Sequence, residues 1–249
     1  MNVLSIGNSF SQDAQRYLSA IAKSAGVALD CFNLYIGGCT LSRHYRNMQS
    51  GERAYTLEMN GKSTGFSVSL KEALLNRDWD VITLQQASAK SVSYETYKPY
   101  LTALASYVRE CAPKAQIFIH ETWGYEDGSV RLTEEMGYKS LSDMQRDIRD
   151  SYELAAKHAI ADYIIPSGEV LLRLASDGVK IHRDTFHLSL GIGRYAAGLT
   201  WYKMLTGKDV SDIPFSDFDV PVNENEIALA KKYADEICGE YRNKIILPF

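Results

Sequence analysis

Residues 2–11, NVLSIGNSFS, open the chain with a short apolar run that passes directly into Gly-Asn-Ser-Phe-Ser. Residues 2–6 predict a buried strand, and residues 12–25 predict a helix because their apolar side chains recur at helical spacing. Ser9 therefore belongs to the turn between the first strand and the first helix. A serine there either caps the helix, as Ser11 or Asn8 could also do, or takes part in chemistry.

The same alternation of apolar runs and helical patterns continues along the chain. Further strands are predicted at residues 27–36, 80–85, 115–121 and 161–165, and helices at 94–111, 140–160, 167–175, 188–205 and 224–241. Five apolar strands separated by helices predict an α/β fold. We expect three α/β/α layers around a five-stranded parallel sheet, with helices on both faces.

Residues 54–69 depart from this alternation. Two alternating runs flank Asn60-Gly61, a pair of residues that favours a tight hairpin turn. The segment predicts a small β-hairpin inserted into the main fold, and a surface loop is the alternative. With this insertion, residues 1–249 are predicted to form a single domain.

Charge and cysteine content restrict the class of protein. The chain of 249 residues has a formal net charge of -4, which argues against a nucleic-acid surface, and no block of Lys or Arg exceeds two residues. The four cysteines lack a C-x-x-C spacing, so neither a disulfide framework nor a zinc knuckle is expected. The apolar runs are too short to predict a membrane helix. No signal peptide precedes the first strand, which predicts a cytoplasmic protein, or a periplasmic or secreted one if a leader has been removed.

Ser9 would lie where ligands bind in parallel α/β folds, at the carboxyl ends of the strands. Its backbone N–H would lie at a helix N-terminus, where free donors and the helix dipole favour negative charge. Those conditions suit a nucleophile whose attack creates an oxyanion. A phosphate-binding loop is excluded, because no G-x-x-x-x-G-K-[ST] motif follows.

A candidate base lies near the end of the chain, in the stretch HRDTFH at residues 182–187. An activated serine needs a base, and the base needs an acid that orients it. Asp184 and His187 are three residues apart in a predicted loop, so the carboxylate could hold the imidazole while the ring reaches another loop. Alternatively, Asp184 is a turn residue and His187 is a partly buried polar group. His182, Asp184 and His187 could also be metal ligands, but their spacing is not a familiar zinc pattern, so no metal is expected.

These stretches, in this order, resemble the SGNH hydrolases, also called GDSL esterases. Gly7-Asn8-Ser9-Phe10 resembles their first block, with Asn8 in place of the usual Asp. Gly37-Gly38-Cys39-Thr40-Leu41 resembles the second block, and Asp184-x-x-His187 resembles the fifth. With G-N-S-F-S as the first block, the chain looks closer still to an uncharacterised bacterial subgroup of these hydrolases.

The resemblance implies a flavodoxin-like fold and a serine esterase without metal or organic cofactor. Ser9 would be the nucleophile, His187 the base and Asp184 the orienting acid. The N–H groups of Ser9 and Gly38 would hold the oxyanion. The third block normally supplies an Asn amide, but this chain reads LQQAS at residues 84–88. Either Gln85 or Gln86 would then be the third donor, and strand alternation allows only one of them to face the site.

The expected substrate is a small acyl ester, such as an acetyl group on a carbohydrate. The alternatives are a lipid or lysophospholipid esterase, a catalytically weak carbohydrate-binding member of the fold, and a nucleotide-binding module. No nucleic-acid or membrane partner is expected, and the oligomeric state stays open. Four residues in or near the predicted loops at this edge are candidate substrate contacts: Asn8, His44, Trp123 and Tyr125. Trp123 packing beneath a loop is the alternative for that side chain.

Overall fold

The computed structural model describes residues 1–244 and 246, so Ile245 and residues 247–249 of the predicted domain lie outside it. Within the described residues, seven strands form one sheet. The strands are Asn2–Gly7 (β1), Asp30–Tyr35 (β2), Tyr55–Met59 (β3), Lys62–Val68 (β4), Val81–Leu84 (β5), Gln116–Glu121 (β6) and Tyr163–Pro166 (β7).

Helices cover both sides of this sheet. They are Ser9–Gln15 (α1), Leu18–Ser24 (α2), Leu41–Ser50 (α3), Leu70–Leu75 (α4), Tyr100–Cys111 (α5), Leu141–Ala159 (α6), Ser167–Ser176 (α7), Ile192–Thr206 (α8) and Glu224–Asn243 (α9). Helix α8 packs against α1, α2, α7 and α9, whereas α5 packs against α3, α4 and α6. Among residues 1–244 and 246, none of the helices combines the length and the apolar character needed to cross a membrane.

The sheet is larger than predicted and is not entirely parallel. Its order is β4-β3-β2-β1-β5-β6-β7. The five strands from β2 to β7 in this order run parallel, but β3 pairs antiparallel with β2, and β4 pairs antiparallel with β3. The prediction of a five-stranded parallel sheet is therefore wrong. The hairpin adds two strands, because β3 pairs with backbone groups of β2 that would otherwise form an open edge.

Two predicted helices have different bounds for local reasons. The helix expected at residues 12–25 is two short helices, and α1 starts earlier, at Ser9, because the Asn8 side chain caps its N-terminus. The helix expected at residues 94–111 is preceded by a separate turn, and α5 begins at Tyr100. Pro99 explains the interruption, since a proline forces the residue before it away from helical geometry.

The strand order determines which loops meet. β2, β1 and β5 are neighbours and run parallel, so their carboxyl ends lie side by side. The segments that follow them contain Gly38, Ser9 and Ser88 respectively. Three residues that are distant in sequence are thus brought to one edge of the sheet.

Candidate active site

Ser9 is the first residue of α1, and its hydroxyl does not cap the helix. The cap is Asn8, whose Oδ1 accepts a hydrogen bond from Phe10 N at 3.0 Å. Ser11 completes the cap, because its Oγ accepts from Asn8 N at 3.1 Å. Asn8 and Ser11 thus perform the capping that the sequence left open, and the Ser9 side chain can face solvent.

The side chains of Ser9, His187 and Asp184 form a hydrogen-bonded series. His187 Nε2 lies 3.0 Å from Ser9 Oγ, although the two residues are 178 positions apart. His187 Nδ1 lies 2.8 Å from Asp184 Oδ2. Because a carboxylate only accepts, Nδ1 carries the ring proton and Nε2 of the neutral ring accepts from the serine hydroxyl.

A short loop fixes the positions of Asp184 and His187 relative to each other. Residues 182 and 188 pair as an antiparallel bridge, and Arg183 N donates to His187 O at 3.0 Å. Within the loop, Asp184 Oδ1 accepts from Phe186 N at 2.9 Å and from His187 N at 2.7 Å. Burial by itself would raise the pKa of Asp184, but these backbone donors and the His187 side chain lower it to about 2. Asp184 is therefore ionised at neutral pH.

The structure does not bring His182 to this series. Its Nε2 lies 3.1 Å from Gly124 O, and burial lowers its pKa to about 4. In the part of the chain that the structure describes, no group of three His, Cys, Asp or Glu side chains is arranged to hold a metal ion. His182 is better described as a support for the loop that contains Gly124.

Two residues that line one cavity have backbone N–H groups without a hydrogen-bond partner in the described chain. Ser9 and Gly38 both line a cavity of about 240 Å³, and neither N–H donates to another described residue. Asn8 links the two loops that contain them, since its Nδ2 donates to Cys39 O at 3.1 Å. These N–H groups are available to an oxygen atom bound in the cavity.

The two glutamines occupy positions different from the expected one. Neither lines the cavity, and both are buried. Gln86 Oε1 accepts from Leu41 N at 3.0 Å and from Ala87 N at 2.9 Å, while its Nε2 donates to Thr96 O at 3.0 Å. Gln86 therefore links the start of α3 and the turn at residues 94–97 to the segment after β5, and we leave it out of the candidate oxyanion hole.

Gln85 is held in a buried chain of hydrogen bonds. Its Nε2 donates to Asn8 Oδ1 at 2.9 Å, and its Oε1 lies 2.8 Å from His120 Nδ1. Burial lowers the pKa of His120 to about 3, so the ring is neutral and Nδ1–H donates to Gln85. His120 Nε2 then accepts from Ser167 Oγ at 3.1 Å. Gln85 thus supports Asn8 from below, and we also leave it out of the oxyanion hole.

His44, Trp123 and Tyr125 were candidates for substrate contact, but all three are buried. His44 lies in α3 rather than in a loop, its Nδ1 lies 3.0 Å from Tyr55 Oη, and burial lowers its pKa to about 3. Trp123 is 1% exposed and stacks on Phe10 with ring centroids 4.2 Å apart. None of the three lines the cavity, although Trp123 and Tyr125 contact residues that do.

Three partly exposed residues that sequence reasoning did not select are among those that line the cavity. They are Tyr35, Ser88 and Phe186, and each is partly exposed. Tyr35 ends β2 and Ser88 follows β5, so their positions after parallel strands were the available signal. For Phe186 the available signal was its position directly before the candidate base His187. Asn8 is the one predicted substrate contact that does line the cavity.

Comparison with solved structures places the fold. A protein assigned as a GDSL-like lipase from Parabacteroides merdae has a TM-score of 0.54 and 16% sequence identity, covering 83% of this chain and 95% of that chain. At this identity the likeness concerns the fold alone. No curated protein matches the chain significantly.

The family is shown by two further matches. Residues 2–236 match a family model described as a domain of unknown function, DUF4886. A DUF4886 family protein from Bacteroides uniformis, known from its crystal structure, is 31% identical with a TM-score of 0.90, covering 99% of this chain and 98% of that chain. Because both matches extend over most of its length, the chain belongs to the DUF4886 family.

Proposed function

We propose that the chain is a serine esterase that hydrolyses a small acyl ester, with Ser9 as nucleophile, His187 as general base and Asp184 as the acid that orients the base. One observation carries the proposal. Ser9 Oγ lies 3.0 Å from His187 Nε2, and His187 Nδ1 lies 2.8 Å from Asp184 Oδ2. A hydroxyl, an imidazole and a carboxylate in this series can activate a serine for acyl transfer on unrelated folds.

The proposed reaction has two halves. Ser9 Oγ bonds to the ester carbonyl carbon while its proton passes to His187 Nε2, and the carbonyl oxygen becomes an oxyanion. The N–H groups of Ser9 and Gly38 stabilise this oxyanion, and Asp184 stabilises the imidazolium. The intermediate then expels the alcohol, which takes its proton from His187. Water attacks the acyl-serine by the same route, which releases the carboxylic acid and restores the Ser9 hydroxyl.

We assign the Ser88 hydroxyl as a third donor in this oxyanion hole. Tyr125 is 2% exposed, and its hydroxyl has one partner in the described chain, Ser88 Oγ at 2.9 Å. Burial raises the pKa of Tyr125, so the phenol keeps its proton. A buried hydroxyl without another acceptor donates to the partner that it has. The Ser88 proton is then free to point into the cavity that Ser88 lines.

The cavity favours an acetyl group on a carbohydrate as the substrate. Its volume of about 240 Å³ is below the roughly 300–1,000 Å³ of pockets that bury drug-sized ligands. Phe10 and Phe186 form apolar walls beside Ser9 that suit a methyl group. The partly exposed Tyr35 adds an aromatic face and a hydroxyl, a combination that suits a sugar ring.

Two assays test the proposed function. A fluorophosphonate probe should label Ser9 in the wild-type protein, and Ser9→Ala should lose both the label and the turnover of p-nitrophenyl acetate. Ser106 is an exposed serine on α5, so Ser106→Ala is the matched control and should behave as wild type. An unlabelled wild-type protein without turnover would overturn the esterase assignment and favour a binding member of the fold.

The acyl-chain profile tests the substrate class. With p-nitrophenyl esters from acetate to octanoate, kcat/KM should fall as the chain lengthens, and acetylated sugars should release acetate. A rise toward octanoate would overturn the small-acyl assignment and favour a lipid esterase. Both profiles are measurable with the same pure protein.

A further inference from the structure

Asp13 is a buried carboxylate that the proposed reaction does not use. Its side chain is 0% exposed. Both of its oxygens lie 2.9 Å from Arg183 Nη1. Oδ1 also accepts from Arg194 Nε at 2.8 Å, and Oδ2 accepts from Leu188 N at 3.0 Å. Burying a charge without partners costs free energy of folding. This complete set of donors therefore indicates a specific role for Asp13.

The partners of Asp13 lie around the loop that contains His187. Arg183 and Leu188 flank His187 in sequence, and Arg183 Nη1 also donates to Leu188 O. Asp13 itself is four residues after Ser9 on α1, so the two side chains lie on the same face of the helix, one turn apart. One turn of α1 therefore carries both the candidate nucleophile and the anchor of the loop that holds its base.

We propose that Asp13 is a positioning residue that holds the loop of residues 183–188 against α1 and so sets the distance between Ser9 Oγ and His187 Nε2. Its catalytic consequence rests on the proposed function, whereas the anchoring of the loop does not. A carboxylate suits this position because its two oxygens accept four hydrogen bonds from three nitrogen donors. An amide has one accepting oxygen, and its NH₂ group would face a guanidinium or a backbone N–H.

The neighbouring Asp219 provides a matched control. It pairs with Arg16 and, at 3.4 Å, with Arg194, so it belongs to the same ionic cluster. No hydrogen bond joins it to residues 183–188 of the described chain. Asp219→Asn and Asp13→Asn are the same chemical change, and each removes one charge from the cluster. Only Asp13→Asn removes a contact with the loop.

The experiment measures amide hydrogen exchange and steady-state kinetics on wild type, Asp13→Asn and Asp219→Asn. In Asp13→Asn, exchange at residues 183–188 should rise at least about ten-fold, with the core strand β1 unchanged, because a local opening becomes easier. The value of kcat should fall about 100-fold with little change in KM, as expected when a base is displaced by about 1 Å. Asp219→Asn should match wild type in both measurements.

Arg183→Gln is the second variant, in case Asp13→Asn does not fold. It removes a partly exposed partner of Asp13, and its exchange and kcat should change in the same direction. Exchange in residues 183–188 that stays at the wild-type level in a folded variant would overturn the proposal. So would a rise of equal size in β1, which indicates general destabilisation. If the wild-type protein had no esterase activity, the proposed function would be overturned instead. The comparison of hydrogen exchange would still decide the role of Asp13.

Discussion

The loop after β5 contains the side chains that we considered as donors to the proposed oxyanion. Its two glutamine amides are both hydrogen-bonded: Gln85 supports Asn8, and Gln86 contacts the start of α3 and the turn at residues 94–97. Ser88, two residues later, has a hydroxyl at the cavity and a buried phenol behind it. In the sequence LQQAS, the two amides thus hold neighbouring parts of the chain, whereas the Ser88 side chain lines the cavity.

Ser88→Ala should lower kcat by about 100-fold and leave KM nearly unchanged, since removing one oxyanion donor typically costs about 3 kcal/mol in the transition state. Tyr125→Phe should have a smaller effect in the same direction, because Ser88 keeps its hydroxyl but loses the bond that orients it. Ser93→Ala, at an exposed serine five residues further on, is the control. Steady-state kinetics with p-nitrophenyl acetate measures all three. If Ser88→Ala retained wild-type kcat, the hydroxyl would have no part in the oxyanion hole.

Asn8 is a second residue whose amide has a clear physical use. Its Oδ1 accepts from Phe10 N and from Gln85 Nε2, while its Nδ2 donates to Cys39 O. An aspartate could make the first two contacts but would place an ionised oxygen against the Cys39 carbonyl. The amide of Asn8 therefore ties the start of α1 to the loop that contains Gly38.

At the scale of elements, the β3–β4 hairpin supports the helix that begins with Ser9. Glu58 on β3 is buried and accepts from Asn33 Nδ2 at 2.8 Å and from Gln12 of α1. Burial raises the pKa of Glu58, and these two donors oppose the rise. At the hairpin turn, a Cβ atom on Gly61 would lie 2.6 Å from Arg16 O at the end of α1. The hairpin therefore packs against α1 at two points.

Two glycines of this hairpin test that packing. Gly61 and Gly65 have φ angles of 75° and 77°, so alanine at either position suffers similar backbone strain. Only Gly61 faces another element, since nothing lies within 4 Å of a Cβ built at Gly65. In urea denaturation, Gly61→Ala should lower the free energy of unfolding by about 1–3 kcal/mol more than Gly65→Ala does, as overpacking usually costs. Equal losses in the two variants would mean that the hairpin turn does not press on α1.

The elements differ in how much of them could be predicted. The parallel strands were predictable because each is a short apolar run between helices, and Asn60-Gly61 indicated the hairpin. The pairing of the hairpin with β2 was not predictable, since nothing in the sequence of Tyr55–Met59 indicates which strand it pairs with. Helix α3 was missed because LSRHYRNMQS is mostly polar, and only three of its residues are buried. Its N-cap, Thr40, is a local signal of a helix start that does not depend on apolar spacing.

At the scale of the whole molecule, sequence order predicted which candidate residues meet but not what supports them. Strand order brings Ser9 and Gly38 to one edge of the sheet, because they follow the neighbouring strands β1 and β2. Asp184 and His187 lie between α7 and α8, and hydrogen bonds link them in series to Ser9. The contact between Asp13 and Arg183 joins residues 170 positions apart. An aspartate in a predicted helix and an arginine in a loop normally face solvent, so only the packed structure indicates their burial and pairing.

The interior of the molecule also predicts how its stability depends on pH. Glu121 ends β6 and is completely buried; its Oε1 accepts from Gln145 Nε2 at 3.0 Å, and its Oε2 has no partner among the described residues. Burial, and then the nearby Glu169, raise the pKa of Glu121 well above its ordinary value of 4.5. The folded chain therefore keeps a proton that the unfolded chain releases, so the contribution of Glu121 to stability is present below pH 4.5 and is lost as pH rises. The loss is at most about 1.4 kcal/mol per pH unit.

Glu121→Gln cannot ionise, so its free energy of unfolding, measured in urea at pH 4, 5.5 and 7, should increase relative to wild type as pH rises. Glu134→Gln, at an exposed position, should show no such trend. A constant difference between Glu121→Gln and wild type across this range would mean that Glu121 is ionised in the folded protein.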